Sequence, residues 1–148
     1  MFSSDETPID EVTEAQIWIQ QQLEASSAVL AAFPAYIGPH PAPRSLVTYP
    51  ILTHDPQVPA ADTRVIGASV LWANIPFLVR GITDSNDPLP LQAGVVAIHD
   101  ALHKKYGTTA NAQVWCYRLK PFSMSELSNT LIYLHKGGIY LCEVRPIS

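Results

Sequence analysis

Residues 87–107 read DPLPLQAGVVAIHDALHKKYG, and the fold turns on how this stretch is read. Leu91, Val95, Ile98 and Leu102 recur at spacings of four, three and four, which places them on one narrow stripe of a helix. Asp87 is a natural N-cap. Pro88 suits the first helical position, where its missing N–H costs nothing, and Lys104, Lys105 and Gly107 supply a C-terminal signal. A helix with a single apolar stripe needs a surface to lie on, and the flanking segments read as strands.

Upstream, residues 64–73 (RVIGASVLWA) and 76–83 (PFLVRGIT) read as two strands. Only Asn74 and Ile75 separate them, too few residues for a crossover helix, so they are predicted to be antiparallel neighbours. Downstream, three strands are predicted over 112–121, 128–135 and 139–145, the last two joined by Lys136-Gly137-Gly138 in hairpin chemistry. That turn would pair Tyr133 with Cys142, Leu131 with Val144 and Leu134 with Leu141, leaving both faces of the sheet partly apolar. One helix layer covers one face. The second face then needs either the N-terminal helix or another subunit.

That N-terminal helix is predicted from about Thr13 to Ala25, with Thr13 and Gln16 as a capping box. Ser26 and Ser27 can cap a short turn that runs to Phe33, where Pro34 stops it. Seven of the thirteen prolines follow between residues 34 and 59. Residues 46–54 (LVTYPILTH) are rich in β-formers, but Pro50 restricts that strand to an edge or a bulge. Residues 55–63 read as an exposed loop. The expected architecture is α+β: a mainly antiparallel mixed sheet against an N-terminal helix and a central amphipathic helix, ending in a β-meander. Residues 1–12 read as a flexible acidic arm and 13–148 as a single domain.

Only 15% of the 148 residues are charged, against about a quarter in an average soluble domain. A surface so short of charge suits a subunit whose surface is covered in an assembly. The net charge of −4 is uneven: residues 1–43 hold six acids and no Lys or Arg, and the remaining seven acids share residues 44–148 with all nine bases. No cluster of Lys and Arg marks a phosphate-backbone site. The apolar runs are too short to cross a bilayer, and no membrane partner is expected. Cys116 and Cys142 read as free, buried thiols.

Catalytic signals are sparse. His99 and His103 stand at i and i+4 in HDALH, an arrangement like that of a helix zinc motif, but Asp100 replaces the glutamate base and no third ligand stands out. His40, His54 and His135 show no ligand spacing. There is no G-x-S-x-G elbow and no phosphate-binding glycine loop, and Asp84 and Asp87 have roles as a turn and a cap. No cofactor, metal or catalytic residue is expected, and the protein is read as not an enzyme. A small metal-dependent enzyme using His99 and His103 is the least favoured alternative.

The order of elements, together with EAQIWIQQQL, YIGPHPAPRSLVTYPILTH, PFLVRGI and LQAGVVAIHDALHKKYG leading to the C-terminal strands, resembles the bacteriophage tail terminators (tail-completion proteins) of the gpU-like kind. The likeness spans about residues 13–146. It implies a virion tail protein that assembles in the host cytoplasm as a hexameric ring. Such a ring caps the head-proximal end of the tail tube, stops tube polymerisation and joins the tail to a head-neck connector or stopper protein. DNA passes through the channel without specific binding. Another neck or head-tail joining protein is the alternative within the same class. Under this reading His40, Arg44, Asp55, Gln57 and Asp62 belong to candidate docking loops. Asp5, Glu6, Asp10, Glu11 and Glu14 are candidate channel-lining acids, whose charge would repel the phosphate backbone.

Overall fold

The computed structural model describes residues 10–45, 48–57, 61–64 and 71–147. Within them the elements run α1 (Glu11–Glu24), α2 (Ser27–Ala32), β1 (Ile37–Pro39), β2 (Ile51–Pro56), β3 (Ala61–Arg64), β4 (Leu71–Thr83), α3 (Leu89–Leu102), β5 (Lys105–Thr108), β6 (Ala112–Ser128) and β7 (Leu131–Pro146). The strands make one mixed sheet in the order β1-β2-β4-β7-β6-β5, with β3 also on β4. Only β1 and β2 run parallel. The α+β class is as expected, and β5, β6 and β7 are successive antiparallel neighbours, so the chain does end in a meander.

The strands of that meander differ from the expected ones. Gly137 and Gly138 lie inside β7, and the reversal falls at Asn129 and Thr130, with Asn129 at φ 56° and Ser128 opposite Leu131. The glycines answer a packing need. A Cβ on Gly137 would lie 2.0 Å from the Val79 carbonyl oxygen, so only glycine lets β7 pass β4 at that point. Cys142 therefore pairs with Cys116, Val144 with Val114, and Leu134 with Ser125.

The expected reversal at Asn74 and Ile75 is also absent: β4 is one continuous strand of 13 residues. Its 71–74 end carries β3 and its 77–82 end carries β2, both on the flank away from β7. Pro76 is tolerated because its carbonyl accepts from Gln57 N–H at 2.7 Å, which points its missing donor into the gap between those two strands. β3 and β4 pair antiparallel with Arg64 opposite Leu71, and residues 65–70 of the strand expected over 64–73 lie outside the described residues. Residues 55–63 are not all loop, since Asp55 and Pro56 extend β2 and Ala61–Thr63 belong to β3. Pro50 stands just before β2, which is an internal strand, and β1 takes the edge.

Helix α1 starts two residues earlier than expected. Asp10 is its N-cap, with Oδ1 accepting from Thr13 N–H at 3.1 Å and Oδ2 accepting from the Thr13 hydroxyl at 2.8 Å. That hydrogen bonding holds the Asp10 carboxyl below its usual pKa. Gln16 is free of capping and serves elsewhere. In α3 the first helical residue is Leu89, whose N–H is taken by Asp87 Oδ1 at 3.0 Å, and Pro90 sits in the first turn. The helix ends at Leu102, so Lys105 and Gly107 belong to β5.

All three helices lie on one face of the sheet. Trp18, Ile19 and Leu23 of α1, Val29 of α2, Phe33 after it, and Leu91, Ile98 and Leu102 of α3 share a core with Ile75, Phe77, Val79, Val114, Tyr140, Cys142 and Val144. Each such side chain contributes about 1.5–3 kcal/mol through burial, far more than any cap. Phe33 is the keystone: Cβ atoms on Gly81 and Gly94 would lie 2.7 and 2.3 Å from its ring, so both glycines make room for it between β4 and α3. His54 is buried on the same face. Its Nε2 donates to Gln20 Oε1 at 2.6 Å and its Nδ1 accepts from Gln16 Nε2 at 3.1 Å, while Gln20 Nε2 donates to the Ile37 carbonyl at 2.9 Å. One neutral imidazole thus pins α1 to β2 and, through Gln20, to β1.

Candidate functional site

With α1, α2 and α3 on one side, the opposite face of the sheet is left to its own residues. Register places Tyr106, Trp115, Tyr117, Leu141, Ile139 and Met124 there. Trp115, Tyr106 and Met124 are 37%, 52% and 40% exposed, and Tyr117, Ile139 and Leu141 are half-buried. Trp115 is flanked by the Tyr106 ring at 4.5 Å and the Arg145 guanidinium at 5.5 Å. The N-terminal helix therefore does not cover this face. The apolar band is large and aromatic, of the kind that marks contact surfaces.

The same hairpin has an open edge. Strand β5 pairs with β6 only from Gln113 to Cys116, and among the described residues no strand pairs with β6 on that side from Tyr117 to Ser128. Arg118 N–H is taken by His103 Nδ1 at 3.0 Å, and a bulge follows between Arg118 and Lys120. Beyond the bulge, the alternation of the ladder turns the backbone of Pro121, Ser123, Ser125 and Leu127 outward. Pro121 has no N–H, so three donors and four acceptors line this edge. Leu119 at the bulge and Leu127, Leu131 and Ile132 around the turn are exposed, Leu127 by 72%. An unpaired edge with apolar flanks is a template for another strand.

Where the apolar band gives way toward β2, polar groups collect under the 40–49 loop. His40 Nδ1 lies 3.2 Å from Thr53 Oγ1, His135 Nε2 lies 3.4 Å from Glu126 Oε1, and Arg80 Nη2 lies 3.8 Å from Asp55 Oδ1. A cavity of about 270 Å³ opens here, lined by His40, Arg44, Tyr49, Glu126, Tyr133 and His135. Arg80 and His135 are buried, and Arg80 Nε and His135 Nδ1 lack hydrogen-bond partners. Burial first, then the Arg80 charge, holds both His40 and His135 below the usual histidine pKa. The site is a polar pocket in which Arg44 and Arg80 stand with Asp55 and Glu126.

Two of the docking candidates, His40 and Asp55, meet in this cluster, and exposed Arg44 stands on the cavity's rim. Gln57 is half-buried at the end of β2, its amide donating to Asp55 Oδ2 at 3.1 Å. Asp62 lies in β3 opposite Ala73, away from the others. Arg80, His135 and Glu126 join the cluster unforeseen. Arg80 had a sequence signal as the lone charge in PFLVRGI, whereas the other two needed the true hairpin register. Of the acids, Asp10 caps α1, Glu11 is half-buried, and Glu14 is buried with Oε1 accepting from the Thr109 hydroxyl at 3.1 Å. Asp5 and Glu6 lie outside the described residues.

His99 and His103 stack, with ring centroids 4.5 Å apart and planes 23° from parallel. Stacked rings aim their in-plane lone pairs side by side, away from any common point. Because His103 Nδ1 accepts from Arg118 N–H, its proton sits on Nε2, so no free lone pair remains on that ring for a metal. Among the described residues no group of three or more His, Cys, Asp or Glu could hold a metal ion, and no helix is long and apolar enough to cross a membrane.

Against known proteins, no protein-family model and no curated protein matches the chain. Solved structures do. One match is a chain of the "Virion of native gene transfer agent (GTA) particle", with a TM-score of 0.73 and 14% identity. The match covers 93% of this chain and 99% of that one. Identity at this level speaks for the fold, and the fold is shared almost end to end.

Proposed function

We propose that this chain is a phage-type virion structural protein and, within that class, a tail terminator. Its ring, hexameric by resemblance, would cap the head-proximal end of the tail tube, stop tube growth and join a head-neck connector or stopper protein. The observation that carries the reading is the bare apolar face and open β6 edge on a fold shared almost completely with a chain of a gene transfer agent virion. A closed ring has heterologous contacts, so each subunit must present two different patches. The open β6 edge and the outer-face band around Tyr106 and Trp115 are two such surfaces. The low charge content fits the same picture.

In this reading the 40–49 loop with His40 and Arg44, together with Asp55, Gln57 and Asp62, serves docking to tube or neck. Asp5, Glu6, Asp10 and Glu11 face the bore, while Glu14 is held by Thr109. Sedimentation of the purified chain with isolated tail tubes, followed by electron microscopy, tests the proposal. The expected result is ring-sized particles at one end of each tube. A chain that stays monomeric and leaves tube ends bare overturns it, and binding to capsid portals without any tail would move the assignment to the neck.

A further inference from the structure

Cys116 in β6 and Cys142 in β7 stand directly opposite each other in the ladder, both reduced. Two backbone bonds establish what kind of pair they form. Ile147 N–H donates to the Asn111 carbonyl at 3.1 Å, and Thr109 N–H donates to the Ala112 carbonyl at 2.9 Å. In this part of β6, odd-numbered residues therefore turn their backbone groups toward β7 and even-numbered residues toward β5. Cys116 and Cys142 are then a non-hydrogen-bonded pair, in which Cα atoms stand about 4.5 Å apart and side chains approach most closely. That spacing lies at the short end of the range a disulfide bridges. Both side chains point into the core, at 2% and 0% exposure.

We propose that Cys116 and Cys142 are a reversible redox pair, which closes to a disulfide across β6 and β7 when the folded chain meets a peroxide. The inference does not depend on the assembly reading, since the pair belongs to a single chain. Cys116, at 2% exposure against 0%, is the sulfur a peroxide reaches first, while burial raises the Cys142 thiol above the usual cysteine pKa and leaves it as the resolving partner. The Cys116 sulfur attacks one oxygen of hydrogen peroxide, the O–O bond breaks, and the leaving hydroxide takes up the Cys116 thiol proton to become water. The Cys142 sulfur then attacks the Cys116 sulfenic sulfur, the S–O bond breaks, and the Cys142 proton leaves with that oxygen as a second water. Two thiols and one peroxide give one disulfide and two waters. The bond encloses residues 117–141, so it ties the base of the hairpin that carries the open edge.

The full-length chain is treated with hydrogen peroxide, quenched, denatured and alkylated, then weighed and peptide-mapped. The expected product has lost two hydrogens, takes up no alkylating reagent, and yields one Cys116–Cys142 linked peptide that a phosphine separates. Its melting temperature should rise by roughly 10 °C. Cys116→Ala and Cys142→Ala should each abolish the linked peptide. Two thiols that still alkylate after oxidation, a product oxidised to sulfinic acid without a link, or a linked chain that melts lower than the reduced one would each overturn the proposal.

Discussion

Single residues in this protein carry consequences out of proportion to their number. His54 is pinned neutral between two glutamines, and burial lowers its pKa from 6.5 to about 4. Because the folded-state value is depressed, the unfolded chain takes the proton first as pH falls. The stabilisation is therefore complete above about pH 6.5 and is lost as pH drops to about 4, by about 3 kcal/mol. His40 and His135 shift in the same direction and add to the slope. Urea unfolding compared near pH 7.5 and near pH 4.5 should show that loss, and His54→Gln, which keeps an amide between Gln16 and Gln20, should flatten the dependence. Gly137 is a second such residue. Gly137→Ala places a carbon where the Val79 carbonyl oxygen stands, so β4 and β7 must part, and a loss of roughly 3 kcal/mol or more is expected in the same assay. Zinc added to the native chain should leave its melting temperature unchanged, because His103 has no free lone pair.

At the scale of elements, the helices were legible in the sequence and the strand breaks were not. The stripe of Leu91, Val95, Ile98 and Leu102 located α3 because a 3.6-residue period has no competing explanation. Strand ends rest on turn residues, and here those residues serve packing. Gly137 and Gly138 form a turn motif in isolation, yet the crossing of β4 requires glycine inside β7, and Asn129 supplies the turn instead. Pro76 reads as a break until the gap between β2 and β3 is known. The docking candidates were partly legible, since loop prolines mark where His40 and Arg44 lie, whereas the placing of His40 and His135 on one cavity depends on a register that the misplaced turn concealed. The open edge makes its own prediction. Ser125 turns its N–H outward, so Ser125→Pro should leave the intrachain ladder and the melting temperature nearly unchanged while abolishing the higher-order species seen by sedimentation.

Taken whole, the molecule is finished on its helix face and unfinished on the other. Ile139→Glu with Leu141→Glu should therefore keep the native circular dichroism spectrum and shift the sedimentation profile to monomer, because the charges fall on the half-buried outer band and outside the shared core. In the proposed ring the open edge would also set how subunits come together. His103 occupies the Arg118 donor and Pro121 has none to give, so an incoming strand finds only Ser123, Ser125 and Leu127 N–H groups waiting. With the four outward carbonyls the edge can make about seven such bonds, and at about 1 kcal/mol each they no more than match the roughly 4–15 kcal/mol that association costs, so this edge alone would hold a neighbour weakly. A wrongly placed subunit would leave before its neighbours arrived, and only a circle in which every member is held from both sides would last. In a ring of the kind proposed, a contact so weak on its own would act as a proofreading device, favouring closed products over fibres.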